Sequence, residues 1–423
     1  MSMLLNCDVQ AGLGQLADES VHCVVTSPPY WGLRNYGMPG QMGLEATPEE
    51  YIETMVAVFR EVRRVLRRDG TCWINMGDCY ASNLRSGRDE SPGVGAKQAM
   101  PRQRTGVKWQ SGGGHNFSWT IPAFGSEIKP KDLVGIPWRL ALALQADGWY
   151  LRCDIIWAKP NPMPESVTDR PTKSHEYVFL LTKSARYFYD QTAVREVQSP
   201  GTFKRYGVDG KIPTFKKSGG SDRKNESFAK ATPEAILPNG RNRRSVWTIA
   251  TQPYPECHFA TFPEKLARIC ILAGTSAKGC CPACGAPWER VEEKGPVAMP
   301  EKTLTGWQRG PGSHDKIPKG NYSGTRTPSN FKGSVPGRKG GPGQDRRSDN
   351  DRGTIVNKGW RPTCTCGRED VARCVVLDPF IGSGTTGKVA QDEGREWIGI
   401  ELNPDYITMI ERRTRHPQET LGL

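Results

Sequence analysis

The stretch from Cys374 to Glu401 constrains the fold of this chain more than any other. Cys374-Val375-Val376-Leu377-Asp378 is a short apolar, β-branched run, the pattern of a strand buried on both faces. A turn follows, Asp378-Pro379-Phe380-Ile381-Gly382-Ser383-Gly384-Thr385-Thr386-Gly387, and then a helical pattern from about Thr386 to Glu393. Trp397-Ile398-Gly399-Ile400-Glu401 reads as a second strand, which completes a βαβ unit and therefore a parallel sheet. Gly382, Gly384 and Gly387 satisfy G-x-G-x-x-G, spacing that lets backbone approach a bound nucleotide. Glu401 lies about twenty residues on, where an acid accepts hydrogen bonds from ribose hydroxyls.

That unit alone suits a dinucleotide oxidoreductase as well as a methyltransferase, and a second loop separates them. Ser27-Pro28-Pro29-Tyr30 directly follows the strand-like run Val21 to Thr26, at the strand end where open α/β sheets place their ligands. The two prolines fix the backbone and remove donors, leaving carbonyl oxygens to accept. A planar base amine such as cytosine N4 or adenine N6 has its lone pair delocalised into the ring. Acceptors at the Ser27 side chain and the Pro28 carbonyl hold its hydrogens and favour a more tetrahedral, nucleophilic nitrogen. Tyr30 offers a face on which to stack a base flipped from a duplex. Such an amine attacks a sulfonium methyl directly, with no covalent enzyme intermediate. Read alone, S-P-P-Y is also a plain proline-rich turn.

The two loops sit at opposite ends of a chain with several irregular stretches. Thr47-Pro48-Glu49-Glu50 is a helix start, with Thr47 as N-cap, Pro48 at N1 and Glu50 closing a capping box. Ile52, Met55, Val56, Phe59, Val62 and Leu66 follow at helical spacing, Gly70 is expected to end the run, and Thr71 to Met76 is expected as a strand. Leu133 to Ala146 reads as a helix, and Tyr150 to Trp157 and Glu176 to Leu181 as strands. The predicted organisation is a catalytic-loop half at 1–80, a loop insertion at 81–132 and a sheet continuation with the base-pocket side at 133–196. A basic DNA-recognition insertion at 197–245 and a cofactor-binding half at 246–423 complete it, the latter interrupted by a cysteine knuckle and disordered insertion at 281–366. The formal charge of +13 favours a polyanionic partner. It is concentrated at 197–245, where Lys204, Arg205, Lys211, Lys216, Lys217 and further cations are interleaved with Phe203, Tyr206 and Phe215; a solvated linker is the other reading. With 36% apolar residues, 47 glycines and 33 prolines, one core carrying long insertions is expected instead of several compact domains.

T-S-P-P-Y together with D-P-F-x-G-S-G-T-T resembles the DNA amino-methyltransferases that act on cytosine N4 or adenine N6, and catalytic loop before cofactor loop is similar to the β arrangement of that family. Asn6-Cys7-Asp8 resembles its N-terminal strand end, whose acid lies near the cofactor adenine. Ile156 to Asn161, with His175-Glu176 and Thr182-Lys183-Ser184, resembles its base-pocket side, and His258 to Pro263, opening a helix through Ile271, its cofactor-carboxylate motif. The resemblance covers roughly 4–80, 133–190 and 246–412. It implies a Rossmann-like, S-adenosylmethionine-dependent α/β methyltransferase in permuted order acting on double-stranded DNA. Ser27, Pro28, Pro29 and Tyr30 would be catalytic; Asp8, Phe262, Pro263, Asp378, Phe380, Gly382, Ser383, Gly384, Thr385 and Glu401 would bind cofactor. Serine at the first motif position leans toward cytosine N4, since many adenine members carry Asp or Asn there; adenine N6 stays open.

Cys281-Pro282-Ala283-Cys284-Gly285 and Cys364-Thr365-Cys366-Gly367 form a C-x-x-C…C-x-C set whose four thiolates suit tetrahedral structural zinc, with Cys280 as a substitute ligand and free buried thiols as the other reading. Thirteen cysteines, an odd number, fit a reducing interior better than a disulfide framework. The absence of a long apolar run and of a signal pattern at Met1 to Asn6 leads to the expectation of a cytoplasmic protein of a bacterium or virus-infected cell with no membrane partner. A cytosine-C5 enzyme is disfavoured because the Pro-Cys dipeptide of that chemistry is absent. RNA or protein amino-methyltransferases and a catalytically dead zinc-ribbon DNA-binding protein remain rivals. The sequence names no restriction endonuclease partner.

Overall fold

The computed structural model describes residues 2–32, 37–81, 128–129, 131–196, 240–252, 262–294 and 355–415, with two short strand segments at 214–215 and 223–224. Most of the 81–132 and 197–245 stretches and residues 258–261 therefore lie outside the described residues. Two compact units divide the chain: Met1–Val197 with Gly240–Glu292 and Asn357–Leu423, and Gln198–Asn239 with Glu293–Val356.

In chain order the first elements are β1 (Met3–Asn6), α1 (Val9–Gly14), β2 (Val21–Thr26), α2 (Pro48–Val65), β3 (Leu66–Met76), α3 (Ile136–Ala146), β4 (Tyr150–Ala158) and β5 (His175–Thr182). The smaller unit contributes β6 (Thr214–Phe215) and β7 (Arg223–Lys224), an antiparallel pair. Next come β8 (Val246–Thr248), α4 (Glu264–Gly274), β9 (Trp288–Lys294) and β10 (Ile355–Pro362), with β9 and β10 pairing as a ribbon. The chain closes with β11 (Val375–Asp378), α5 (Thr385–Asp392), β12 (Glu396–Glu401) and α6 (Pro404–Thr414).

Eight strands form one sheet in the order β1-β12-β11-β2-β3-β5-β4-β8. β5 runs against β3 and β4, and the other pairs are parallel. Every residue of β2 is buried, which is why it reads as a continuous apolar run instead of alternating. Its side chains alternate between two cores: Val24 packs with Leu13, Phe59 and Leu140 of α1, α2 and α3, while Cys23 and Val25 pack with Ala267, Val389 and Ile410 of α4, α5 and α6. The sheet is thus wound on both faces, as a doubly wound α/β fold requires.

α2 begins with the complete capping box expected of Thr47 and Glu50. It ends earlier than the apolar spacing suggests. Leu66, not Gly70, is its C-cap, because Leu66 already pairs with Val21 in β3 and the register slips before Cys23 meets Thr71. Strand pairing overrides the helical period there. No helix among the described residues is long and apolar enough to cross a membrane.

Winding reverses between β11 and β2. The chain leaves β11 toward β12 through α5, whereas β2 leads to β3 through α2. The carboxyl ends of two such strands leave a crevice between their loops, the usual ligand position in open α/β sheets. Those loops are Ser27–Tyr30 and the glycine-rich turn after Asp378.

Candidate active site

Asp378 ties the two loops together. Its carboxylate accepts from Thr26 Oγ1 at 2.7 Å through one oxygen and from Thr386 Oγ1 at 2.7 Å through the other, and the Phe380 N–H adds a 3.1 Å bond. Burial pushes its pKa up to about 6 even though these donors favour the charged form. Asp378 therefore fastens the end of β2 to the start of α5, and its two oxygens point into the protein.

Glu401, at the end of β12, holds the turn from the other side. Its oxygens accept from the Gly382 N–H at 2.9 Å and the Asn403 N–H at 2.8 Å. Burial raises its pKa to about 7 against those two amides. Each carboxylate oxygen takes one amide here and keeps acceptor capacity for a hydroxyl. Gly384 is the N-cap of α5 in the left-handed region, φ 80°, with Ile410 only 3.2 Å from where a Cβ would stand. Only glycine fits that conformation and that approach without strain.

Ser383 and Thr385 are buried and meet Arg413 of α6. Its guanidinium donates to the Ser383 carbonyl, the Ser383 hydroxyl and the Thr385 hydroxyl at 3.0–3.2 Å, and pairs with Glu264 at 3.1 Å. The same arginine thus brings the start of α4 beside the turn, with Phe262 partly buried in the second core and Pro263 as the N-cap of α4. Asp8 follows β1 on the same edge of the sheet and caps α1 by accepting from the amides of Gln10 and Ala11, both at 3.0 Å.

On the β2 side a polarised chain of hydrogen bonds runs inward from Ser27. Its hydroxyl donates to Tyr30 Oη at 3.3 Å, and Tyr30 Oη donates to Glu176 Oε2 at 2.9 Å. Asn75 Nδ2 reaches both Tyr30 Oη, at 3.0 Å, and Glu176, at 2.9 Å; Lys159 forms an ion pair with the other Glu176 oxygen. Burial, then the Glu176 charge, drive the Tyr30 phenol well above its ordinary pKa, so it is a fixed donor. The Pro29 carbonyl accepts from Tyr51 Oη at 2.8 Å, whereas no donor among the described residues reaches the Pro28 carbonyl.

The structure thus joins Ser27, Tyr30, Asp378, Gly382 and Glu401 at one sheet edge. Glu176 and Lys159 lay within stretches singled out by resemblance, without a role. Asn75 and Arg413 escaped sequence reading. Asn75 carries a signal, being a polar residue near the end of the buried Gly70–Met76 stretch of β3, whereas Arg413 looks like any surface helix arginine.

A DNA methylase family model for N6 and N4 methyltransferases matches residues 21–281 and 372–412. The chain belongs to that family. It is a DNA methyltransferase of the S-adenosylmethionine-dependent, Rossmann-like class, with its cofactor motif following its catalytic motif. The Type II methyltransferase M.Cfr9I of Citrobacter freundii is 34% identical over 410 residues, spanning 97% of this chain and 86% of its own. M.SmaI of Serratia marcescens is 36% identical over 406 residues, spanning 96% and 88%. Among solved structures, the cytosine-N4-specific PvuII DNA methyltransferase aligns at TM-score 0.47 and 14% identity over 98% of this chain and 86% of that one.

The cysteines lie elsewhere in this methyltransferase. The sulfurs of Cys281, Cys284, Cys364 and Cys366 are all within 4.8 Å of one another. The backbone N–H groups of Cys284 and Ala283 donate to the Cys281 sulfur and help bring its pKa down to about 7. Cys280 groups instead with His22 and Cys374. These residues stand at the amino ends of β2 and β11, across the sheet from Ser27 and Asp378.

Proposed function

We propose that this methyltransferase modifies the N4 amine of a cytosine turned out of double-stranded DNA, as the modifying half of a restriction-modification pair. The observation that carries this reading is the direction of the Ser27–Tyr30–Glu176 chain. Because Ser27 donates its own proton inward, its lone pairs are left to accept from an amine, and the Pro28 carbonyl offers a second acceptor. Two acceptors on the two amine hydrogens draw the nitrogen toward tetrahedral geometry and concentrate its lone pair.

The residues present fit S-adenosylmethionine. Gly382 and Gly384 put no side chain at two positions of the turn, and Glu401 presents a carboxylate held by two amides to a ribose. Asp8, Phe262, Pro263 and Phe380 complete the expected cofactor set, while Asp378, Ser383 and Thr385 act by holding the turn in shape. When bound, S-adenosylmethionine supplies an electrophilic methyl on sulfur. The amine nitrogen would take the methyl, with the sulfur keeping the bonding electrons; the Ser27 oxygen would take the surplus amine proton as Ser27 passes its own to Tyr30 and Tyr30 to Glu176, while the Pro28 carbonyl holds the other amine hydrogen. Lys159 pairs with Glu176, the terminal acceptor of the Ser27–Tyr30 chain. The four-cysteine cluster takes no part in this chemistry. Serine instead of Asp or Asn as the first loop residue favours cytosine over adenine.

Transfer of labelled methyl from S-adenosylmethionine to duplex DNA, RNA and protein tests the reading. Duplex DNA is expected to be labelled, and Ser27→Ala to lower kcat by roughly 100-fold with little change in cofactor affinity, the scale of losing one transition-state hydrogen bond. Undiminished transfer by Ser27→Ala, or preferential labelling of RNA or protein, contradicts it.

A further inference from the structure

We infer that Cys281, Cys284, Cys364 and Cys366 form a structural zinc site binding one ion per chain. The inference is independent of which base is methylated. The four sulfurs lie within 4.8 Å of one another, and none is bridged in a disulfide. Zinc–thiolate bonds of about 2.3 Å put tetrahedral sulfurs about 3.8 Å apart, so closing on an ion asks each sulfur to move by less than about 1 Å.

The backbone is already shaped for this. Cys281–Gly285 and Cys364–Gly367 each end in a left-handed glycine, at φ 70° and 67°. In the first turn the Gly285 N–H returns to the Cys281 carbonyl at 2.7 Å, and a Cβ on Gly285 would stand 2.5 Å from Arg67 Nη1. The amides of Ala283 and Cys284 aim at the Cys281 sulfur, and that of Cys366 at the Cys364 sulfur. Amide donors of this kind offset the charge that four thiolates concentrate on one ion. With four protein sulfurs in place, no coordination position is left for water or substrate, which makes the site structural and not catalytic.

The turn is also fixed to the sheet. His22 Nε2 donates to the Gly285 carbonyl at 2.8 Å while Nδ1 accepts from the Val375 N–H at 3.0 Å. Arg67 donates to the Cys284 carbonyl at 2.6 Å. Both imidazole nitrogens are therefore engaged, so the adjacent His22, Cys280 and Cys374 cluster is not a second metal site: a ligating His22 would forfeit one of these two bonds. A metal clip here joins chain segments separated by the whole 285–363 stretch, the arrangement in which a cross-link removes most entropy from the unfolded chain.

The test is elemental analysis of the full-length chain purified from zinc-supplemented culture without a metal-binding tag. About one zinc per chain is expected, released on mercuration of the thiols, and cobalt exchange should give the intense near-ultraviolet thiolate-to-cobalt band of a tetrahedral sulfur site. Cys284→Ser and Cys366→Ser should lose roughly nine-tenths of the metal, while Cys280→Ser and Cys374→Ser keep it. Zinc below about a tenth of an ion per chain in the unaltered protein overturns the proposal. So does metal that follows Cys280 and Cys374 instead of Cys284 and Cys366. Should the serine variants fail to fold, the cobalt spectrum of the unaltered chain still decides, since absence of the thiolate band excludes the site.

Discussion

The two edges of the parallel sheet use the same strands for opposite purposes. At the carboxyl edge, β2, β11 and β12 end in groups that stay polar at a cost: Asp378 and Glu401 are buried carboxylates with pKa values raised to about 6 and 7. At the amino edge, His22 and Arg67 hold backbone carbonyls of the cysteine turn. At the first edge Asp378 is engaged within the protein while Glu401 keeps the acceptor capacity proposed for a ligand, and the second edge satisfies its polar groups within the protein. Buried acceptors held by backbone amides suit binding, whereas a fully engaged network suits stability.

The largest effect that separates the edges is expected at Glu401. Glu401→Gln should weaken S-adenosylmethionine binding by roughly 10- to 100-fold, the scale of a charged hydrogen bond, read by calorimetry. Its pH dependence has a definite sign. Because the folded pKa is raised above the ordinary 4.5, the Glu401 contribution to stability is present below about 4.5 and lost as pH rises through about 7. Cofactor affinity runs the other way, since an ionised carboxylate accepts best, so it should fall as pH drops below about 7. In Glu401→Gln both dependences should flatten. Affinity that keeps its slope in this variant would place the titration elsewhere.

A smaller effect is expected at the opposite edge. Arg67→Ala removes the bond to Cys284 and should lower stability by about 1–2 kcal/mol, measured by thermal unfolding, with kcat unchanged within about twofold. A large loss of kcat at full folding would show that the two edges are coupled and would break the division drawn between them.

Much of this architecture is legible in the sequence because local rules and tertiary structure agree there. The Thr47–Glu50 capping box and the strand, glycine turn and helix after Cys374 needed no long-range information. α2 shows the opposite case: its apolar spacing continues to Leu66 and Gly70 looks like a stop, yet pairing with Val21 turns the chain into β3 at Leu66. The site was legible as motifs but not as a network. Ser27, Asp378 and Glu401 announce themselves by neighbours in sequence. Asn75, Glu176 and Arg413 act across gaps of 45, 146 and 30 residues to Tyr30, Tyr30 and Ser383, and nothing local encodes such contacts. The cysteine pairs were visible, but the separation of Cys280 from them required knowing where His22 lies.

The central claim is that Ser27 and the Pro28 carbonyl present acceptors to a cytosine N4 amine. The direct measurement is enzymatic digestion of DNA methylated by the purified chain, with the modified nucleoside identified by mass spectrometry. N4-methyldeoxycytidine, reduced roughly 100-fold when Ser27→Ala replaces the unaltered enzyme at equal concentration and time, is the predicted result. N6-methyldeoxyadenosine as the product would contradict the choice of base, and 5-methyldeoxycytidine would contradict the amine chemistry itself.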